Sequence, residues 1–133
     1  MELIDTLTLK STYKEVEKVE GFLNSLQQKL EFNDEFYARL MLTVSEAATN
    51  GVIHGNKLDA SKTVTLTAYR DGNTLIVETV DQGEGFDPDA VPDPLAEENL
   101  LKSSGRGVFL MEEYADEVSY SDGGSKLTLH FNL

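Results

Sequence analysis

The sequence predicts a two-layer α/β sandwich, in which a mixed, largely antiparallel sheet carries helices on one face. About five short segments read as strands, and those at 62–70 and 125–132 alternate apolar and polar residues clearly. Three other segments repeat apolar residues every three or four positions, as helices do. The 133 residues favour a single domain spanning 1–133, which is large enough to bury one core.

The first half of the chain predicts one strand and two helices. Residues 3–10 alternate as a strand, and residues 12–15 have the form of a capping box that opens a helix ending near residue 30. The apolar stripe of this helix favours core packing, with a dimer contact as the alternative. The stripe consists of Val16, Val19, Leu23, Leu26 and Leu30. A second helix is expected from Asn33 to about His54, ending before Gly55.

The second helix has two faces of different character. The face expected in the core consists of Leu40, Val44, Ala48 and Val52. A separate polar stripe consists of Arg39, Thr43, Glu46, Asn50 and His54. The helix is therefore predicted to have a core side and a chemical side.

Two hairpins supply the remaining strands. The first joins strands at 62–70 and 74–80 through an Asp71-Gly72 turn, and the second joins 117–121 and 125–132 through a turn at 122–124. Val64, Leu66 and Ala68 in the first hairpin, and Leu127, Leu129, Phe131 and Leu133 in the second, are the alternating apolar positions.

The stretch between the hairpins divides into a loop and a helix. Residues 87–104 contain three prolines and predict an irregular segment, which at this length is usually functional or mobile. Residues 105–115 predict a third helix. Its inward positions are expected to be Val108, Met111 and Ala115.

Composition excludes several classes of function. The chain has no cysteine, so it has neither disulfides nor thiolate metal sites. The net charge of −13 argues against binding to nucleic acid or to anionic membranes. The acidity indicates either solubility or attraction to a basic surface on a partner protein. Because no long apolar run and no secretion signal are found, a cytoplasmic location is expected.

The first chemical motif is Glu46-Ala-Ala-Thr-Asn50. Residues four apart lie on one helical face, so the carboxylate and the amide are neighbours. A carboxylate can deprotonate a hydroxyl, and an amide oxygen is a suitable ligand for magnesium. The alternative interpretation of this pair is a solvated polar stripe.

The second motif is Asp81-Gln-Gly83-Glu-Gly85-Phe86, at the end of a predicted strand. An aspartate there can accept a hydrogen bond from an exocyclic amine, such as that of adenine. The glycines allow a tight turn and close approach of the backbone to a ring. An ordinary glycine-rich turn is the alternative.

The third motif, Gly105-Arg106-Gly107, opens the predicted third helix. Backbone N–H groups at a helix N-terminus favour phosphate, and Lys102 or Arg106 adds positive charge. Ser103 and Ser104 are possible donors, and a flexible loop is the alternative. The two histidines are not expected to form a metal site together. His54 lies on the polar stripe of the second helix, where it would face a bound nucleotide. His130 is expected at the surface.

Together these motifs resemble the GHKL ATPase superfamily, whose fold is shared by DNA gyrase, histidine kinases and anti-sigma-factor kinases. Residues 46–50 resemble its N box, residues 81–86 its first glycine box, and residues 105–111 its second. Gly124-Ser125 resembles the Gly-Thr pair that closes the adenine pocket. The resemblance covers nearly the whole chain and is strongest to the bacterial anti-sigma serine kinases. It implies the Bergerat, or histidine kinase-like ATPase, fold.

The resemblance also implies residue roles. Glu46 would be the general base, Asn50 the magnesium ligand and Asp81 the adenine contact, and residues 87–104 would form the ATP lid. The other expected nucleotide-binding residues are His54, Gly83, Gly85, Phe86, Lys102, Ser104, Gly105, Arg106, Gly107, Val108 and Ser125.

Members of this family bind ATP and Mg²⁺, usually form homodimers and hold a sigma factor inactive. They phosphorylate a serine on a small anti-sigma antagonist of the STAS type. The resemblance therefore implies an anti-sigma regulatory factor with serine-protein kinase activity. The alternative is a nucleotide-gated regulator that binds a partner and turns over little ATP. Residues 3–26 are the expected dimer surface, because they carry an apolar stripe.

Overall fold

A computed structural model describes residues 1–83, 111–121 and 125–133, which include a five-stranded sheet. Its strands are β1 (Glu2–Lys10), β2 (Thr63–Asp71), β3 (Thr74–Val80), β4 (Glu117–Ser121) and β5 (Lys126–Asn132). They lie in the order β1-β2-β3-β5-β4, and every described pairing is antiparallel rather than mixed. The predicted strands and two-layer fold class are confirmed.

The helices pack on one face of this sheet. They are a 3₁₀ turn at Lys14–Glu17, α1 (Lys18–Leu30) and α2 (Asp34–Asn50), which continues as a π-helical turn at Gly51–Gly55. Residues 111–114 are also helical. The predicted ATP lid, most of the predicted helix at 105–115 and the turn at 122–124 lie outside the described residues. No helix in the described ranges is long and apolar enough to cross a membrane.

The two main helices begin differently. Asn33 caps α2, its side chain accepting a hydrogen bond from the Phe36 N–H at 2.8 Å. At residues 12–15 only half of the predicted capping box forms: the Glu15 N–H donates to Thr12 Oγ1 at 3.4 Å. The Glu15 carboxylate instead accepts from the Lys10 N–H, because the Thr12 N–H already donates to the Lys10 carbonyl. The first helix consequently starts as a 3₁₀ turn.

The apolar stripe of α1 belongs to the core. Val19, Leu23 and Leu26 are at most 1% exposed, and Val16 and Leu30 pack against the same cluster. Core packing, the favoured interpretation of the stripe, is therefore confirmed. Since these side chains are used within one chain, the stripe gives no support to a dimer surface at 3–26.

The buried face of α2 is wider than predicted. It includes the four expected residues together with Thr43 and Ala47. Thr43 was assigned to the polar stripe, but it is fully buried. Its Oγ1 donates to the Arg39 carbonyl at 2.8 Å, so the hydroxyl is satisfied inside the helix and can lie in the core.

The sheet places its alternating apolar residues against the helices. In β3 and β5 these include Leu75, Val77, Leu129 and Phe131, all completely buried. Leu133 was expected to continue the pattern but is 41% exposed, because β5 ends at Asn132. His130, expected at the surface, is only partly exposed and pairs with Ile76 on the sheet face away from the core.

Candidate functional site

The carboxyl end of β3 meets the end of α2 at a depression in the protein. Its void is about 330 Å³, including space open to solvent. The described lining residues are Ala47, Asn50, Gly51, Gly55, Thr79, Asp81, Met111, Ser125 and Leu127. Residues from α2, β3, β5 and the helical segment at 111–114 therefore converge on one place.

Three of the residues predicted from the motifs line this depression: Asn50, Asp81 and Ser125. The Asp81 N–H donates to the Ser125 carbonyl at 2.9 Å, which ties the end of β3 to the start of β5. Glu46 is partly buried and lies one helical turn before Asn50, about 6 Å along the helix axis. Asn50 of the N box and Asp81 of the first glycine box are thus brought together.

Other predicted residues have a different placement. His54 is exposed and is not among the described lining residues, so its nucleotide contact stays a prediction. The remaining predicted positions lie outside the described residues: Gly85, Phe86, Lys102, Ser104, Gly105, Arg106, Gly107 and Val108. Met111, the last residue of the second glycine box, is fully buried and lines the depression.

Asp81 is a partly buried carboxylate held by its own loop. Its Oδ1 accepts a hydrogen bond from the Gly83 N–H at 2.9 Å. Burial raises the pKa of Asp81, and the bond from Gly83 lowers it by a smaller amount. The second oxygen, Oδ2, keeps its acceptor capacity, since no hydrogen bond to it is found among the described residues.

Two glycines allow the loop after β3 to lie against the end of α2. A Cβ on Gly55 would stand 2.5 Å from Asp81 Oδ2. A Cβ on Gly83 would collide with the carbonyl oxygen of Gly55. Gly83 was predicted as a pocket-shaping residue, whereas Gly55 was taken only as the end of a helix. The structure shows that both positions lack room for a side chain.

The end of α2 is an irregular turn. The Asn56 N–H donates to the Gly51 carbonyl five residues earlier, which is the π-helical spacing. Lys57 and Leu58 then adopt positive φ angles of 54° and 59°, a conformation that costs non-glycine residues energy. Such turns and strained residues are common at functional sites, and this one lies beside the depression.

Asn56 fixes the loop that carries Asp81. It is 1% exposed, and its Oδ1 accepts from the Gln82 N–H at 2.7 Å. Its Nδ2 donates to Ser11 Oγ at 2.8 Å and to the Thr63 carbonyl at 3.0 Å. Sequence reasoning missed this role, because the partners are distant in sequence and no local pattern points to them.

Thr79 is a second residue that sequence reasoning missed. It is 3% exposed, lines the depression and lies two residues before Asp81, which directly follows the last residue of β3. Its Oγ1 has no hydrogen-bond partner among the described residues. The period-two rule for strands could have placed it beside Asp81.

The donor set fits a metal ion that is shared with a nucleotide. Magnesium prefers oxygen ligands, retains several waters and often takes only one or two protein ligands in addition to phosphate oxygens. The amide oxygen of Asn50, at the depression, satisfies that requirement. The described residues contain no group of three or more acidic, His or Cys side chains that would enclose a metal.

Comparisons with known proteins agree with this geometry. Residues 9–131 match the family model of the histidine kinase-like ATPase domain. The anti-sigma F factor of Thermoanaerobacter sp. (strain X514) is 33% identical over 99 residues, which are 71% of this chain and 67% of that protein. The anti-sigma F factor of Lysinibacillus sphaericus is 29% identical over 103 residues, which are 76% of this chain and 68% of that protein.

A solved structure shows the same fold. The crystal structure of the RsbU and RsbW domains of Rv1364c from Mycobacterium tuberculosis superposes with a TM-score of 0.63 and 16% identity. The match covers 96% of this chain and 30% of that chain. Since the family model spans nearly the whole sequence, this chain belongs to the histidine kinase-like ATPase family.

Proposed function

We propose that this chain is an anti-sigma regulatory factor that binds ATP with Mg²⁺ and phosphorylates a serine on an antagonist protein. The observation that carries the proposal is the convergence of Asn50, Asp81 and Ser125 on one depression, with Glu46 one helical turn away. The names of its relatives, which are anti-sigma F factors, support the regulatory half of the proposal.

In this proposal the adenine lies in the depression. Asp81 accepts a hydrogen bond from the exocyclic amine, and the bare backbone at Gly55 and Gly83 lets the loop that carries Asp81 lie close against the end of α2. Asn50 supplies an oxygen ligand to Mg²⁺, which would offset the phosphate charge when bound. That offset is needed because the protein itself carries a net charge of −13.

Glu46 is the proposed general base. It takes the proton from the hydroxyl of the substrate serine as that oxygen forms a bond to the γ-phosphorus. The bond from the γ-phosphorus to the bridging oxygen breaks, and ADP leaves with the electron pair. Glu46 and Asn50 lie one turn apart on α2, so base and metal ligand face the same region.

The proposed partners are a sigma factor or a similar regulator and a STAS-type antagonist. The acidity of the chain favours a basic protein surface and disfavours nucleic acid and anionic membranes. A homodimer, implied by the family resemblance, and a cytoplasmic location, expected from the sequence, both stay predictions.

A binding-only regulator is the second candidate. Its support is in the sequence of the proposed lid. Residues 87–104 contain five acidic residues and a single lysine, so the lid would supply little positive charge to the γ-phosphate. A regulator of this kind would bind ATP and a partner without phosphate transfer.

The first experiment is calorimetric titration of the purified protein with ATP, with and without Mg²⁺, beside an Asn50→Ala variant. Magnesium-dependent binding that the substitution weakens about tenfold or more supports the nucleotide site. A wild-type protein that does not bind millimolar ATP would refute the proposal.

The second experiment separates kinase from binding-only regulator. Labelled ATP is incubated with a candidate antagonist and either wild type or Glu46→Ala, and ATP affinity is measured in parallel. Removal of a general base should lower transfer by about 10²-fold or more and leave ATP affinity nearly unchanged. Equal transfer by the two proteins would show that Glu46 is not the base, and no transfer by wild type would favour the second candidate.

A further inference from the structure

The Thr79 hydroxyl is a buried polar group without a partner. The side chain is 3% exposed, and Oγ1 makes no hydrogen bond within the described part of the chain. Its cross-strand neighbours are Leu66 on β2 and Leu127 on β5, which offer only hydrocarbon side chains. A buried hydroxyl in this state destabilises a protein, so its presence calls for a function.

The order of residues along the strand places the Thr79 side chain beside Asp81. Side chains two residues apart on a strand point to the same face, and Thr79 and Asp81 both line the depression. Successive residues on one face are about 6.8 Å apart, close enough for both to contact one purine. The carboxylate can only accept hydrogen bonds when ionised, whereas the hydroxyl can donate.

This acceptor and donor pair matches one edge of adenine. Adenine presents an amine donor at C6 beside an acceptor nitrogen at N1, whereas guanine presents a carbonyl at C6 beside an N–H at N1. A carboxylate facing the C6 carbonyl of guanine would be repelled. Among the described residues, the hydroxyl next to it has no partner that competes for its proton.

We propose that Thr79 is a specificity-determining residue that donates a hydrogen bond to N1 of the adenine base, beside the amine contact made by Asp81. The inference rests on the proposed function, because it requires ATP to occupy this depression. It assigns a ligand contact to a residue outside the three sequence motifs.

The test compares wild type with Thr79→Val and Thr79→Ser. Valine has nearly the shape of threonine but no hydroxyl, so Thr79→Val should weaken ATP binding about 3- to 10-fold. The same substitution should raise the Tm of the nucleotide-free protein by about 2–5 °C, because it removes an unsatisfied buried group. Thr79→Ser, which keeps the hydroxyl, should retain most of the ATP affinity.

A matched control uses Thr67→Val. Thr67 lies on β2 and pairs with Glu78 on the sheet face away from the helices, so its substitution should leave ATP affinity unchanged. If both valine variants weakened ATP binding equally, the loss of affinity would be a general result of replacing a threonine in the sheet. That outcome would overturn the proposal.

An ATP analogue identifies the atom that is contacted. In 1-deaza-ATP a C–H group replaces N1, so wild type should bind it about 3- to 10-fold more weakly than ATP. Thr79→Val should lose little further affinity with this analogue, since the hydrogen bond is already absent. Additive losses from the two changes would show that Thr79 and N1 do not interact.

The outcomes distinguish this inference from the proposed function. If wild type does not bind ATP, the proposed function fails and the inference fails with it. If wild type binds ATP and Thr79→Val raises Tm without weakening binding, the hydroxyl is only an unsatisfied group. In that case the nucleotide site stands and the assignment of Thr79 is wrong.

Discussion

Asp81, the proposed adenine contact, also carries a cost to folding. Burial raises its pKa, so the folded protein binds this proton more tightly than the unfolded chain does. The resulting stability is fully present below the unfolded pKa and is lost as pH rises through the folded pKa. At neutral pH the ionised carboxylate therefore destabilises the nucleotide-free protein.

Asp81→Asn should relieve this cost while removing the ionised acceptor for the base. The amide oxygen can still accept from the Gly83 N–H, and no charge is buried. We expect the variant to have a higher Tm than wild type at about pH 8, with a smaller difference at about pH 5. ATP affinity should fall at both pH values. A Tm difference that does not depend on pH would contradict the assignment of a raised pKa.

Gly83 and Gly21 form a matched pair for testing whether the loop after β3 has room for a side chain. Gly83→Ala would force a Cβ into the Gly55 carbonyl, whereas a Cβ at Gly21 meets nothing within 4 Å. We expect Gly83→Ala to lower the free energy of unfolding by about 1–3 kcal/mol and to weaken ATP binding. Gly21→Ala lies inside α1 and should raise the free energy of unfolding by about 0.5–1 kcal/mol.

Denaturant titration of both variants checks this prediction, with ATP affinity measured on the folded proteins. The two substitutions add the same methyl group, at Gly83 in a loop without room for it and at Gly21 in a helix with open space around it. If both variants gained stability, the loop after β3 would have room that the structure does not show.

At the scale of elements, Asn56 joins three parts of the fold. It connects the turn after α2 to the segment after β1, to the start of β2 and to the loop after β3. Asn56→Ala should lower the free energy of unfolding by about 2–3 kcal/mol, because it leaves buried groups without partners. The loop carrying Asp81 should also lose its anchor, so ATP affinity should fall.

Leu40→Ala is the control for Asn56→Ala. It removes a fully buried side chain from α2 and should cost about 2–5 kcal/mol. Both variants are compared under conditions where they remain folded, by thermal unfolding and by ATP titration. Only Asn56→Ala should weaken ATP binding. Equal loss of binding in the two variants would mean that general destabilisation is the cause.

At the scale of the whole molecule, the net charge of −13 opposes compactness. The four ion pairs among the described residues all involve at least partly exposed side chains, so each contributes only about 0–1 kcal/mol. Added salt screens both the repulsion between like charges and the attraction within the ion pairs. Because acids outnumber basic residues by 24 to 11, relief of repulsion should dominate.

We therefore expect Tm to rise when NaCl is increased from about 20 mM to about 300 mM, which shortens the screening length several-fold. The double variant Glu2→Gln and Glu113→Gln removes two exposed acids and should show a smaller increase. Scanning calorimetry measures both proteins. A Tm that falls with salt would show that the ion pairs outweigh the repulsion.

The sequence by itself determined the elements and the motif residues. Sequence patterns located all five strands, with clear period-two alternation in β2 and β5, and a repeat of three to four located α1 and α2. These patterns follow from which side of an element faces the core. The residue pattern also placed the start of α2 at Asn33 and singled out Asn50 and Asp81, and the family resemblance added Ser125. Each of these features depends on neighbours within a few positions.

Only the tertiary structure decided which residues complete the site. Gly55 and Asp81 are 26 positions apart, as are Asn56 and Gln82, and their contact arises only when α2 packs beside β3. The burial of Thr43 also depended on packing. The side chain can lie in the core because its hydroxyl donates to the Arg39 carbonyl of the same helix. Contacts of this kind join segments whose local patterns carry no information about one another, and the folded chain alone brings them together.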